Sequence, residues 1–211
     1  MLTLAVCTLI LGDQWIPLHD TGSPSGKYQI CWQMPGAGIT LDGSGNTNFP
    51  DNFDPDKVIN GITNTRTGEM VCFLKNLNGF TNENHGGTMT TWKRDETLVL
   101  VDHEGRWEPA QMMVASPSGA TREIWPTLHS ALAKYAKAHR GRFTRSDTES
   151  FVFSIGKTRW SGSSLVIGFH ANIPKDERDW EVPMLATVSV RVRDGAIVAP
   201  SIFVQEGKKS D

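Results

Sequence analysis

Three cysteines among 211 residues are too few for a scaffold stapled by several disulfides. No CxxC and no Cys/His spacing suits zinc. An excess of positive charge is missing as well: 21 Lys and Arg stand against 23 Asp and Glu, a formal net charge of −2, so nucleic acid is not an expected partner. No uncharged apolar run approaches the roughly 20 residues that a membrane helix needs. There is no GxGxxG after a strand, no GxxxxGK[ST] and no GxSxG, so no dinucleotide fold, phosphate loop or nucleophile elbow is announced. No cofactor is expected.

What is present favours strands and turns. The 20 glycines and 11 prolines disfavour long helices. Short apolar runs alternate with turn residues: KYQICWQM (27–34), EMVCFL (69–74), TMTTW, TLVLVDH and WEPAQMMVA. After residue 150 come SFVFSI, TRW, SLVIGFHAN and a segment carrying the Asp194-Gly195 hairpin signal. This punctuation predicts an antiparallel meander. Residues 36–64, rich in Gly, Asn, Asp and Pro, read as one long loop, and 75–87 as another. One segment differs. Leu128, Leu132, Tyr135 and Ala136 recur at helical spacing between Pro126 and Gly141, which predicts one amphipathic helix over 126–140. The expected class is therefore mainly β with one inserted α-helix.

The N-terminal run Leu2–Leu11 carries no charge. Two readings of residues 1–12 stand: a truncated signal or anchor segment, or an apolar strand buried in the fold. The first implies a secreted or periplasmic protein, the second a cytoplasmic one. Residues 13–211 then form a single β-rich domain of about three meander units. In an oxidising compartment Cys31 and Cys72, both in strand-like runs, are candidates for a disulfide.

Three windows repeat a pattern. TTWKRDETLVLVDHE and TRWSGSSLVIGFHAN share Thr, Trp, a polar turn and an apolar strand, and SPSGKYQICW (23–32) is a cousin about 70 residues earlier. These windows resemble the W-S-P-D-G-x-x-[LIV] signature of β-propeller repeats in Tol-type periplasmic and WD-type proteins, as carried by uncharacterised bacterial secreted families. Ser25 stands where that signature has Asp, Lys93-Arg94 replace Ser-Pro, and the third window lacks Pro. The resemblance implies propeller-like units. Closed propellers use about 4–8 blades, so three units imply an incomplete or small propeller, self-association, or a meander of their own.

Candidate chemistry is scattered. Asp42, Asn46, Asn48 and Asp51 offer the oxygen ligands that Ca²⁺ takes, but Thr47 and Phe53 occupy the positions where an EF-hand needs Gly and Glu, so no metal is expected. His85, in ENHGG, and His103, between Asp102 and Glu104, are the candidates for a hydrolase reading. Asp102 and Glu104 can share a strand face that excludes His103. Lys134, Lys137, Arg140, Arg142 and Arg145 form a stretch without acid, which either caps a helix end or meets an anionic surface. Trp107 and Trp180, in charged contexts, are candidates for a binding surface. The preferred expectation is a non-enzymatic binding or scaffold module at the bacterial envelope. Its partner would be a protein or an anionic surface, and a homo-oligomer is the remaining alternative.

Overall fold

In the computed structural model the chain builds three four-stranded antiparallel sheets. The described residues are 15–36, 40–41, 47–48, 51, 54, 57–75, 77, 87–105, 109–139, 152–172 and 182–208. Sheet 1 holds β1 (Ile16–Pro17), β2 (Tyr28–Gln33), β5 (Ile59–Asn64) and β6 (Met70–Leu74), with the small hairpin β3 (Thr40–Leu41) and β4 (Thr47–Asn48) between β2 and β5. Sheet 2 follows as β7 (Thr88–Trp92), β8 (Val99–Glu104), β9 (Pro109–Ala115) and β10 (Thr121–Glu123). Helix α1 (Trp125–His139) separates it from sheet 3, built of β11 (Val152–Ser161), β12 (Ser164–Asn172), β13 (Val182–Ser189) and β16 (Ser201–Glu206). A second hairpin, β14 (Val192–Arg193) and β15 (Ala196–Ile197), turns at Asp194 and Gly195, which adopt φ of 51° and 75°. Two successive residues in the left-handed region are what the Asp-Gly pair supplies.

The predicted meander is thus present, and each sheet pairs its strands in sequence order. Among the described residues the sheets close neither a barrel nor a ring. The expectation of one loop over 36–64 is corrected, because β5 (INGITN) is a central strand of sheet 1. Its Asn and Gly disguise it. A side chain at Gly61 would be crowded there: a Cβ would fall 2.9 Å from Met70 Cγ and 3.1 Å from the Cys72 carbonyl oxygen. The separate runs SFVFSI and TRW prove to be one ten-residue strand, β11, with a register irregularity between Ile155 and Thr158.

Sheet 2 lies in the middle and buries both faces. Val99, Val101, Met113 and Ala115 join Ile30, Trp32, Ile62 and Leu74 of sheet 1. The alternate residues Leu98, Leu100, Met112 and Val114 join Leu165, Ile167, Phe169, Ala186 and Val188 of sheet 3. The period-2 alternation of a strand puts these sets on opposite sides. The first half of β8 (VLV) and the second half of β9 (MMVA) therefore read as continuous apolar runs. α1 completes the second core with Trp125, Leu128, Leu132 and Ala136, a stripe at helical spacing, and leaves Lys134 and Lys137 exposed. It starts one residue before the predicted 126, because the Leu128 amide already donates to the Ile124 carbonyl (2.9 Å). Tyr135, expected on the buried face, is half-buried and stacks on His139 at 3.9 Å.

Cys31 and Cys72 do not pair; both are buried free thiols. Register explains this. Cys31 lies in the row Cys31–Gly61–Phe73, and Cys72 in the adjacent row Ile30–Ile62–Cys72. They sit on opposite faces with one strand between them, and two strand spacings come to about 9.6 Å, beyond the roughly 7 Å limit for a bridge. Burial raises both thiol pKa values, Cys72 to about 11.

Candidate turn-end cleft

The repeated tryptophans do the same job twice. The Trp92 indole N–H donates to the Thr21 carbonyl (3.0 Å), and the Trp160 indole N–H donates to the Thr91 carbonyl (2.8 Å). Donor and acceptor are 71 and 69 residues apart, in each case one more than the separation of the repeat positions. Each sheet is thereby tied to its predecessor at the residue just before the predecessor's own repeat position. That position holds Trp92 in sheet 2 and Gly22 in sheet 1. The turns match as well. Ser23 N–H to Tyr28 O and Gly26 N–H to Ser23 O in sheet 1 correspond to Lys93 N–H to Leu98 O and Glu96 N–H to Lys93 O in sheet 2. Gly26 and Glu96 occupy the left-handed region, with φ of 73° and 58°. Glycine accepts this conformation freely and glutamate does not. Glu96 is held there by its carboxylate, which accepts from Ser25 N–H (2.6 Å) and Ser25 Oγ (2.9 Å). A carboxylate from sheet 2 therefore serves the sheet 1 turn at the position where the repeat signature has its own Asp. These contacts hold the Glu96 carboxyl below its ordinary pKa, the Ser25 backbone N–H foremost.

The aligned turns enclose a cleft of about 740 Å³. Pro24 comes from sheet 1, Thr91 to Asp95 from sheet 2, and Thr158 to Trp160 with Gly162 from sheet 3. Both indoles line it half-buried, with their N–H groups committed to carbonyls, so their carbon surfaces are what a ligand meets. Trp92 also stacks on Tyr28, with ring centroids 6.1 Å apart and planes 13° apart. The cations divide into two kinds. Lys93 Nζ donates to Asp95 Oδ2 (2.6 Å), and this bond leads in lowering the Asp95 pKa to about 2. Arg94 and Arg159 are exposed and have no ion-pair partner among the described residues. A second cleft of about 690 Å³ flanks the same turn and is bounded by Tyr28, Glu96, Ser116–Ser118, Ser163 and Val192.

The sequence-derived candidates fall differently. Asp102 is on the sheet 2 face turned to sheet 3 and is 3% exposed. Neither of its carboxylate oxygens has a hydrogen-bond partner. Burial, and second the charge of Glu104, raise its pKa from 3.8 to about 7. His103 has the parity of Val99 and Val101, turned to sheet 1, with Nδ1 3.4 Å from Thr88 Oγ1. The two neighbours are thus split between opposite faces of one sheet, so the Asp102–His103 pairing of the hydrolase reading is not assembled. Asp51 is exposed in a turn and Asn48 lies in β4. Among the described residues no group of three His, Cys, Asp or Glu side chains is placed to hold a metal. Among them too, no helix is long and apolar enough to cross a membrane. His85, Asp42, Asn46, Trp107, Trp180, Arg140, Arg142 and Arg145 lie outside the described residues. Arg94 and Arg159 were missed as site residues; their signal is their position beside the repeat tryptophans. No protein-family model and no curated protein matches the sequence.

Proposed function

We propose that the chain is a non-enzymatic binding module of the bacterial envelope, built as a partial propeller of three blade-like units, and that its turn-end cleft receives an acidic segment of a partner protein. The observation that carries the reading is the pairing of two indole surfaces with two unpaired guanidiniums in one concave site. Tryptophan and arginine are the residues in which interface energy concentrates. A guanidinium offers a planar fork that suits a carboxylate. Lys93 is already neutralised by Asp95, so the two arginines are the free positive charges of the site. The envelope setting rests on the uncharged Leu2–Leu11 run and on the resemblance of the repeats.

Titration with poly-L-glutamate, followed by tryptophan fluorescence, tests the reading, with poly-L-lysine as the opposite charge. Saturable binding that weakens with salt is expected. The double variant Arg94→Ala/Arg159→Ala should lose about tenfold or more, on the basis of about 1 kcal/mol per partly screened charge pair. Equal affinity for polylysine, or a double variant that binds like the native chain, would overturn it.

A further inference from the structure

The tetrapeptide Ser-Pro-Ser-Gly occurs twice, at 23–26 between β1 and β2 and at 116–119 between β9 and β10. The two turns are built alike. Ser23 and Ser116 are each 6% exposed, while Ser25 and Ser118 stand in solvent. The Gly26 amide donates to the Ser23 carbonyl (2.8 Å), and the Gly119 amide to the Ser116 carbonyl (2.9 Å). Both glycines take the left-handed conformation, with φ of 73° and 99°. As far as the glycine, the chain makes one turn in two places.

What the two turns hold differs. At the first, the Glu96 carboxylate takes one bond from each donor of Ser25: Oε1 accepts from the backbone N–H (2.6 Å) and Oε2 from the hydroxyl (2.9 Å). At the second, no carboxylate among the described residues fills that place. The Ser118 amide donates to Ser116 Oγ at 3.2 Å instead, and the two hydroxyls meet at 2.8 Å. Neutral bonds of this kind are about half as strong as bonds to a carboxylate, so an acid can displace them. There is room for one, because Ser116, Pro117 and Ser118 border the cleft of about 690 Å³. On its walls Lys27 and Lys93 balance Asp95 and Glu96, so an incoming acid meets no net repulsion.

We propose that the turn at 116–119 is a second anchor for the acidic partner segment: one of its Asp or Glu side chains seats on the Ser118 N–H and hydroxyl, as Glu96 seats on Ser25. This rests on the reading of the partner as acidic, and it adds where a second carboxylate goes. The chain supplies its own precedent, since Glu96 reaches Ser25 from a different sheet, 71 residues away. Lys93 and Asp95 line both clefts, so the two meet at that neutral pair. A segment held by Arg94 and Arg159 crosses the pair to reach Ser118.

Titration of the ¹⁵N-labelled full chain with a short oligo-L-glutamate, followed by amide and indole N–H resonances, tests this. The Ser118 and Gly119 amides should shift saturably, and the Ser25 amide should stay still because Glu96 already fills its place. In Glu96→Ala the Ser25 amide should begin to respond. Ser118→Ala should weaken binding read at Gly119 by about tenfold, the loss of one hydrogen bond to a charged group. Oligolysine should move none of these amides. Ser118 and Gly119 amides that stay still while the Trp92 and Trp160 indoles saturate would overturn this anchor and leave the arginine cleft standing. The reverse, a Ser118 response with unmoved indoles, would overturn the cleft and leave the anchor. No response at either place overturns both. A Ser25 amide that ignores the probe in Glu96→Ala also overturns the anchor, because its precedent would then carry no affinity. The native-chain titration decides the matter even if a variant fails to fold.

Discussion

Replacing Asp102 with Asn should stabilise the protein, and should do so in a pH-dependent way. The carboxyl is 3% exposed, both oxygens lack partners, and its pKa stands at about 7 against 3.8 when unburied. Below about pH 4 it is protonated whether the chain is folded or unfolded, and it costs little. As the pH rises from there towards 7, the unfolded chain releases the proton while the folded chain keeps it, so stability falls. Above pH 7 the full cost is in place. At 1.36 kcal/mol per pH unit, the gap from 3.8 to about 7 amounts to about 4 kcal/mol, of which about 2.5 kcal/mol accrues between pH 5 and pH 8. An amide cannot ionise and escapes this slope, although it leaves its own polar atoms buried. Urea unfolding of both proteins at pH 5, 6, 7 and 8 measures the difference. The native chain should lose stability relative to Asp102→Asn by about 2 to 3 kcal/mol across that range. A difference that stays constant with pH would show that Asp102 is ionised and compensated in the folded state, and the reasoning would fail.

Trp160→Phe should cost about 1–2 kcal/mol by leaving the Thr91 carbonyl without its donor. This lowers the melting temperature by about 2–4 °C for each kcal/mol. Trp92→Phe should cost a similar amount through Thr21; a thermal scan in which neither variant moves would refute the linking role. Glu96→Ala keeps the left-handed backbone and loses the bonds to Ser25, whereas Glu96→Gly loses the bonds and relieves the backbone. The glycine variant should therefore melt above the alanine variant, and the reverse order would refute the account of this turn.

What the sequence revealed followed from local pattern. The α1 stripe Leu128, Leu132, Ala136 is visible because its spacing matches the helix period, and the Asp194-Gly195 turn because few residue pairs accept two positive φ values. β5 was illegible because its glycine answers to Trp15 and Met70, which are distant in sequence. The Cys31–Cys72 error has the same root: strand propensity says nothing of parity or register, and one residue of parity puts the thiols on opposite faces. The repeat tryptophans were legible as a pattern, but their role depends on a carbonyl about 70 residues upstream. On β8, alternation alone set His103 apart from Asp102 and Glu104. The burial of Asp102 came only from the stacking of sheet 3 on sheet 2.

The tryptophan links also have a direction. In both, the donor belongs to the later sheet and the acceptor to the earlier one. A chain leaving the ribosome therefore finds each acceptor already in place when the next donor emerges, and sheet 2 can dock on sheet 1 before sheet 3 exists. The helix alone must wait. It precedes sheet 3 in the chain, yet it packs against β13 and β16. Until those strands arrive, the apolar stripe of α1 has only sheet 2 to cover it, and synthesis passes through a stage in which an incomplete nascent core is the surface a chaperone would hold.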